Sequence, residues 1–226
     1  MRTKTLLIAA VLGAASVAST FAQVYSVNAV GYVNTSFPVA GFYIISNPLN
    51  NGNNQVGTVI PTAPDGTIIY TFSNGSFGNA ITYYQGAGWF NGANPATDVL
   101  APGQGFFIQI PTAAQTLTFV GDVPQGANLT QPIPTGFSLQ ASQVPISAGL
   151  STTGNSGMNF PAVDGDIVYF FDGATQQYKN AITFYQGAGW FDGATASDPT
   201  PAVGQGFFLQ RTGAAGNWTR SFDVNL

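Results

Sequence analysis

The segment NAITYYQGAGWFNGA, Asn79 to Ala93, recurs as NAITFYQGAGWFDGA, Asn180 to Ala194, and differs only at Tyr83/Phe184 and Asn91/Asp192. A chain that repeats itself this closely is built from two copies of one unit, so any fold proposed for it must accommodate that unit twice. The correspondence extends outward. DGTIIYTF from Asp65 matches DGDIVYFF from Asp164, and GQGFFIQ from Gly103 matches GQGFFLQ from Gly204. FVGDV ending at Val123 matches SFDV ending at Val224, and VAGFYIIS matches PTGFSLQA through Gly41–Phe42 and Gly136–Phe137. The offset drifts between these blocks, which puts the insertions in the connecting loops. The units cover residues 23–123, including an N-terminal strand over 24–34, and 124–226, each the size of a small domain.

Within each unit the matched blocks read as strands. Ile68, Tyr70 and Phe72 fall on one face by alternation, as do Ile167, Tyr169 and Phe171. Asp-Gly at 65–66, 164–165, 172–173 and 192–193, and Asn-Gly at 51–52, 74–75 and 91–92, tolerate positive φ and mark tight turns. PGQG from Pro102 suits a type II turn, although Val203 stands where the second copy would have proline. The 28 Gly and 14 Pro break the chain into pieces too short for long helices. The expected fold is all-β: two tandem antiparallel β-sandwich or open-barrel-like units related by internal duplication, with about five or six strands each. An arrangement in which strands of one unit complete the sheet of the other stays open.

Residues 1–22 read as a signal peptide: Arg2 and Lys4, the apolar run LLIAAVLGAASVA, then a small-residue site before Gln23. That run is shorter than the roughly 20 residues a bilayer-spanning helix needs, and no later stretch is longer, so no membrane-spanning segment is expected. The expectation is an exported protein, extracellular or at the cell surface, with the periplasm as a further possibility. With no cysteine in the chain, lipidated-cysteine anchors and disulfides are excluded. Without the leader, Lys179, Arg211 and Arg220 face nine aspartates, a formal net charge of -6. Three cations cannot build a surface that displaces counterions from nucleic acid, so nucleic-acid partners are not expected.

The candidate ligand-binding residues are Trp89 and Trp190, with Gln85, Gln104, Gln186 and Gln205 as hydrogen-bonding companions. In that reading the glycine-flanked indoles expose flat faces to sugar rings. The competing reading makes Gly-Ala-Gly a tight bend and packs Trp-Phe into the core, which is where large aromatics mostly go. Asn79, Thr82 and Gln109, with Asn180, Thr183 and Gln210, have the chemistry to line a groove, though amides and hydroxyls more often satisfy backbone. Asp164, Asp166, Asp192 and Asp198 suggest calcium by composition, but Asp-Gly turns already account for most of them and no twelve-residue calcium loop occurs. No His, Cys or Glu is present, which removes histidine triads, thiol nucleophiles and the usual zinc ligands. Neither an enzyme nor a cofactor or metal is expected.

The order AVGYVN, GFYIISNPL, DGTIIYTF, PGQGFFIQ, TFVGDVPQG and WTRSFDVNL, after a signal peptide, resembles a family of two-repeat secreted proteins from Verrucomicrobia-type bacteria. The resemblance implies no catalytic residues. Asn47-Pro48-Leu49 has no copy in the second unit, where Ser142-Gln143-Val144 stands instead. Together these readings predict a non-enzymatic structural or adhesive surface protein, with a carbohydrate-binding module using the two tryptophans as the alternative. The expected partners are extracellular polysaccharide or the protein itself. For self-association the segment Val24–Asn34 is the candidate: its Tyr25, Val27, Ala29, Gly31 and Val33 side wants cover, from this chain or by strand addition to a neighbour.

Overall fold

A computed structural model describes residues 29–225; the expected signal peptide and Val24–Asn28 lie outside them. The protein is all-β. The first unit runs β1 (Val30–Phe37), β2 (Gly41–Ser46), the one-turn helix α1 (Val56–Val59), β3 (Ile68–Tyr70), β4 (Phe72–Ser73), β5 (Ser76–Phe77), β6 (Ile81–Tyr84), β7 (Gly88–Asn91), β8 (Asn94–Pro95), β9 (Gly105–Ile110) and β10 (Gln115–Asp122). The second repeats the strands in the same order: β11 (Gly126–Ile133), β12 (Gly136–Ala141), β13 (Ile167–Tyr169), β14 (Phe171–Asp172), β15 (Gln177–Tyr178), β16 (Ile182–Tyr185), β17 (Gly189–Asp192), β18 (Thr195–Ala196), β19 (Gly206–Arg211) and β20 (Gly216–Phe222). Each unit has a six-stranded antiparallel sheet, ordered β2-β9-β3-β6-β7-β8 and β12-β19-β13-β16-β17-β18.

Each sheet is covered on one side by a two-stranded ribbon, β1–β10 or β11–β20, which makes each unit a sandwich. The first core joins Phe37, Leu117 and Phe119 of the ribbon to Ile69, Ile81, Trp89, Phe106, Ile108 and Ile110 of the sheet. The second joins Ile133 and Trp218 to Val168, Trp190, Phe207 and Leu209. The described part of the N-terminal segment is paired within the chain, from Val30↔Asp122 to Phe37↔Gln115. Its odd-numbered side turns inward: a side chain at Gly31 would strike Leu49. The apolar side is thus covered from within, and the edge of this strand that faces β10 is paired within the chain.

Asn47 shapes the chain after β2: its Oδ1 accepts from Leu49 N–H at 3.1 Å and its Nδ2 donates to the Leu100 carbonyl at 3.0 Å. In the second unit the Ser142 hydroxyl makes the equivalent turn, accepting from Val144 N–H at 3.3 Å. A shorter polar side chain thus does the same job, and Leu49 and Val144 are both buried beyond it.

Each unit keeps its own sheet, and the two are joined reciprocally. Ser46 N–H donates to the Gly204 carbonyl and Ala141 N–H to the Gly103 carbonyl, both at 2.8 Å, beside the antiparallel bridges Ile45↔Gln205 and Gln104↔Gln140. The second glycine of each GQGFF element sits at this crossing. A Cβ on Gly206 would meet Ile44 and lie 3.4 Å from Gly105 Cα, and one on Gly105 would meet Gln140 and Leu139. A third apolar cluster fills the junction with equivalent residues from both sides, Ile44 with Leu139 and Phe107 with Phe208. The hairpins β4–β5 and β14–β15 reach across: Phe72 meets Phe208 edge-on at 5.0 Å, and Phe171 meets Phe107 at 5.6 Å.

Candidate functional site: two open sheet faces

The alternative of an exposed indole platform is overturned. Trp89 is 5% exposed and Trp190 3%, both on the covered face of their sheets. Trp89 Nε1 donates to the Ile60 carbonyl at 2.7 Å, and the rings pack edge-on against Tyr83 and Phe184. The cause is local. Tyr84 and Tyr185 carbonyls accept from Ala87 and Ala188 N–H to close the turns, and each strand starts at the following glycine, so alternation sends Trp in and Phe out. Phe90 and Phe191 are therefore only half-buried, and the expectation that Trp and Phe both enter the core holds for Trp alone.

The four glutamines are not assembled with the indoles either. Gln85 and Gln186 lie exposed in the β6–β7 and β16–β17 turns. Their main-chain N–H groups donate to Asp65 and Asp164 at 2.7 and 2.8 Å, so these carboxylates hold turns. Gln104 and Gln205 lie at the opposite end of the sheets, at the unit junction, where Gln205 Oε1 accepts from Ala202 N–H at 2.9 Å. Asp166 is committed to a buried ion pair with Arg211, and Asp198 to Ser151 N–H. No group of three or more metal-ligating side chains occurs among the described residues.

What the fold does bring together is a row of side chains on the uncovered face of each sheet. Register places Phe42 beside Gln109, Gln109 beside Ile68, Ile68 beside Thr82 and Thr82 beside Phe90. In the second unit the row is Phe137, Gln210, Ile167, Thr183 and Phe191. The residue types agree at all five places, although they come from five strands drawn from four separate blocks of sequence. Four interstrand steps of about 4.8 Å make each row on the order of 19 Å long. Tyr84 and Tyr185, half exposed, flank Phe90 and Phe191 at 5.8 and 5.9 Å, each opposite a glycine that leaves its ring uncovered. Thr82, Gln109, Thr183 and Gln210 were named from sequence as groove candidates and are here; Asn79 and Asn180 lie outside the row.

Towards the junction each row opens into an aromatic cleft. One, of about 380 Å³, is walled by Phe42, Tyr70, Phe77, Phe107 and Tyr178; the other, of about 490 Å³, by Phe72, Phe137, Tyr169, Tyr178 and Phe208. Tyr169 Oη donates to Gln210 Oε1 at 3.2 Å, whereas among the described residues nothing bonds the side-chain ends of Thr82, Thr183 or Gln109. Burial beside Phe171 and Phe208 pushes the Tyr178 phenol above its ordinary pKa. Neither row nor cleft contains a charged side chain. Arg211 and Arg220 are buried elsewhere. The arrangement offers apolar rings and neutral hydrogen-bonding groups, with no paired acid and base.

Neither a family model, nor a curated protein, nor a solved structure matches the chain. No helix among the described residues is long and apolar enough to cross a membrane.

Proposed function

We propose that this is an exported, non-enzymatic adhesive protein that grips an uncharged polysaccharide along its two open sheet faces. The observation that carries the reading is the row Phe, Gln, Ile, Thr, Phe, repeated residue for residue in both units. Aromatic rings that present an apolar face, with an amide and a hydroxyl between them, suit a ligand that is flat, neutral and rich in hydroxyls. Two such faces on one chain add avidity on a repeating polymer.

The test is retention on a panel of insoluble uncharged polysaccharides. Phe90→Ala and Phe191→Ala should each weaken retention, and the pair should abolish it while the unfolding midpoint stays near that of the parent. No retention on any polymer, or retention unchanged in the double variant, sinks the proposal.

A self-assembling structural protein is the second reading, and one asymmetry favours it. On the outer face of the first ribbon Val30, Tyr32 and Val120 are 73%, 68% and 47% exposed, and the second ribbon has Asn128 and Ser221 in place of Tyr32 and Val120. Exposed apolar side chains gathered on one of two equivalent ribbons suit contact between copies. Sedimentation of the parent and of Tyr32→Ser decides it. A parent that stays monomeric at high concentration removes this reading and leaves the first intact.

A further inference from the structure

The two halves treat the edge of their sheets differently at one equivalent place. In the first unit β2 is the edge strand, and the hairpin β14–β15 of the second unit clamps it. Gln176, in the turn of that hairpin, accepts from Phe42 N–H through Oε1 at 2.8 Å and donates from Nε2 to the Phe42 carbonyl at 3.1 Å. One carboxamide thus satisfies both outward groups of an edge residue, as an added strand would. The fit is close: a Cβ on Gly41 would lie 2.5 Å from the Gln176 carboxamide, and one on Gly173 would strike the Tyr43 ring.

In the second unit β12 is the edge strand, and Phe137 holds the place of Phe42. The registers Phe42↔Gln109 and Phe137↔Gln210 are the same. Ser46 and Ala141, four residues further along their strands, both send their N–H outward to the other unit. Alternation along an antiparallel strand then points the Phe137 N–H and carbonyl outward too. Among the described residues no side chain clamps them. The first unit's hairpin turns through Asn74-Gly75 and is two residues shorter than its counterpart, which turns through Gly173 to Gln176. A Cβ on Gly136 or on Gly75 would meet nothing within 4 Å. The vacant place opens on a cavity of about 430 Å³, lined by Asn74, Gln104, Gln131 and Phe137 among others. Gln131 is buried, and its Oε1 has no hydrogen-bond partner among the described residues. Phe137 itself is 45% exposed, whereas Phe42 is half-buried.

We propose that the open edge of β12 at Phe137 docks a glutamine-bearing, uncharged peptide loop of a partner protein. The glutamine carboxamide closes two hydrogen bonds on the Phe137 backbone, as Gln176 does on Phe42. The chain's own second hairpin defines that chemistry, and the absence of charged side chains among the groups lining the cavity suits a neutral loop. This site is separate from the row of side chains on the sheet face, and its failure would leave the polysaccharide reading untouched.

The probe is a blocked peptide with the sequence of Gly173 to Tyr178, GATQQY, titrated into the isotope-labelled full chain and followed by amide NMR shifts. The Phe137 amide should move saturably while the Phe42 amide stays still. A peptide with glutamate for the first glutamine should bind about tenfold more weakly, since it loses the donor to the Phe137 carbonyl. Replacing Ser73–Ser76 by the segment Asp172–Gln177 should fill the slot, protect the Phe137 amide from exchange and abolish the response. Gln176→Ala should open the second slot and make Phe42 respond as well. Three outcomes overturn the proposal: no saturable shift at Phe137, an undiminished response in the hairpin graft, or Phe137 shifts that follow protein concentration without peptide. The last would assign the edge to a second copy of the chain.

Discussion

At the end of the central strand the first unit places Ile110 beside Thr67, and the second places Arg211 beside Asp166. All four are buried. In the first unit Thr67 is satisfied locally, its hydroxyl donating to the Pro64 carbonyl at 2.7 Å. In the second, the Arg211 guanidinium reaches Asp166 at 2.7 and 3.2 Å and donates to the Pro161 carbonyl at 2.8 Å. The same backbone therefore tolerates a neutral pair or an ionic one. An ion pair this dry costs desolvation on both sides, so its presence does not make the second unit the more stable.

The largest expected effect breaks this comparison one residue at a time. Arg211→Ile alone strands Asp166 in the core and should cost about 3–5 kcal/mol of unfolding free energy. Arg211→Ile with Asp166→Thr installs the first unit's solution and should return stability to within about 1 kcal/mol of the parent, or raise it. Denaturant unfolding measures both. Costs that simply add in the double variant would show that the second unit's backbone has come to depend on the ions.

A smaller contrast concerns the indoles. Trp89 Nε1 has the Ile60 carbonyl, whereas Trp190 Nε1 is buried with no partner among the described residues. Trp89→Phe leaves a buried carbonyl unsatisfied, while Trp190→Phe removes an unsatisfied donor, so the first should be costlier by about 1 kcal/mol. Equal costs would mean that a bound water serves Trp190.

These pairs also show how far the sequence could be read. The duplication, the alternation and the turn chemistry led to two tandem antiparallel units and left sandwich or open barrel undecided, a choice made by the ribbons β1–β10 and β11–β20. Gly66, Gly75, Gly92 and Gly103 take the positive φ their turns require. Asp172-Gly173 is the exception: the Asp172 carboxylate caps a longer turn, and Gln176, not Gly173, takes positive φ. The candidate site was harder to see, for two physical reasons. In Gly-Trp-Phe both rings are apolar, and a one-residue change of phase exchanges the buried and the open face, so composition could not say which ring was in. The row itself depends on the order β2-β9-β3-β6-β7, which draws its members from four separate matched blocks. Thr82 and Gln109 were visible as polar matches, but nothing local placed them on one face.

Arg220 tests the comparison again in the ribbon, where Phe119 is its counterpart. Its guanidinium is buried, with Nη2 on the Asn155 carbonyl at 2.9 Å and with Nε and Nη1 unpartnered among the described residues. Burial lowers its pKa from the usual arginine value, the sign of a charge held at a cost. Arg220→Met keeps the stem and removes the charge, and should leave stability unchanged or raise it by up to about 1 kcal/mol. A clear loss would mean that the contact between the guanidinium and the Phe222 ring, at 5.3 Å, outweighs the desolvation.

The smallest effect is confined to high pH. Tyr178 sits between the two aromatic clefts where the first unit has Phe77, and burial raises its pKa above the tyrosine value of 10.0. Above that value the unfolded chain gives up the phenol proton while the folded chain keeps it. The folded state then binds more protons than the unfolded one, so stability falls as pH rises through this range. Below it both states are protonated and the phenol contributes nothing to pH dependence. Tyr178→Phe transplants the first unit's residue, and should leave neutral-pH stability nearly unchanged while flattening the alkaline fall. Stability measured between pH 8 and 11, beside the phenolate absorbance of the same samples, checks both parts. An alkaline slope that survives the substitution would move the effect to another tyrosine and make Tyr178 and Phe77 interchangeable at the junction.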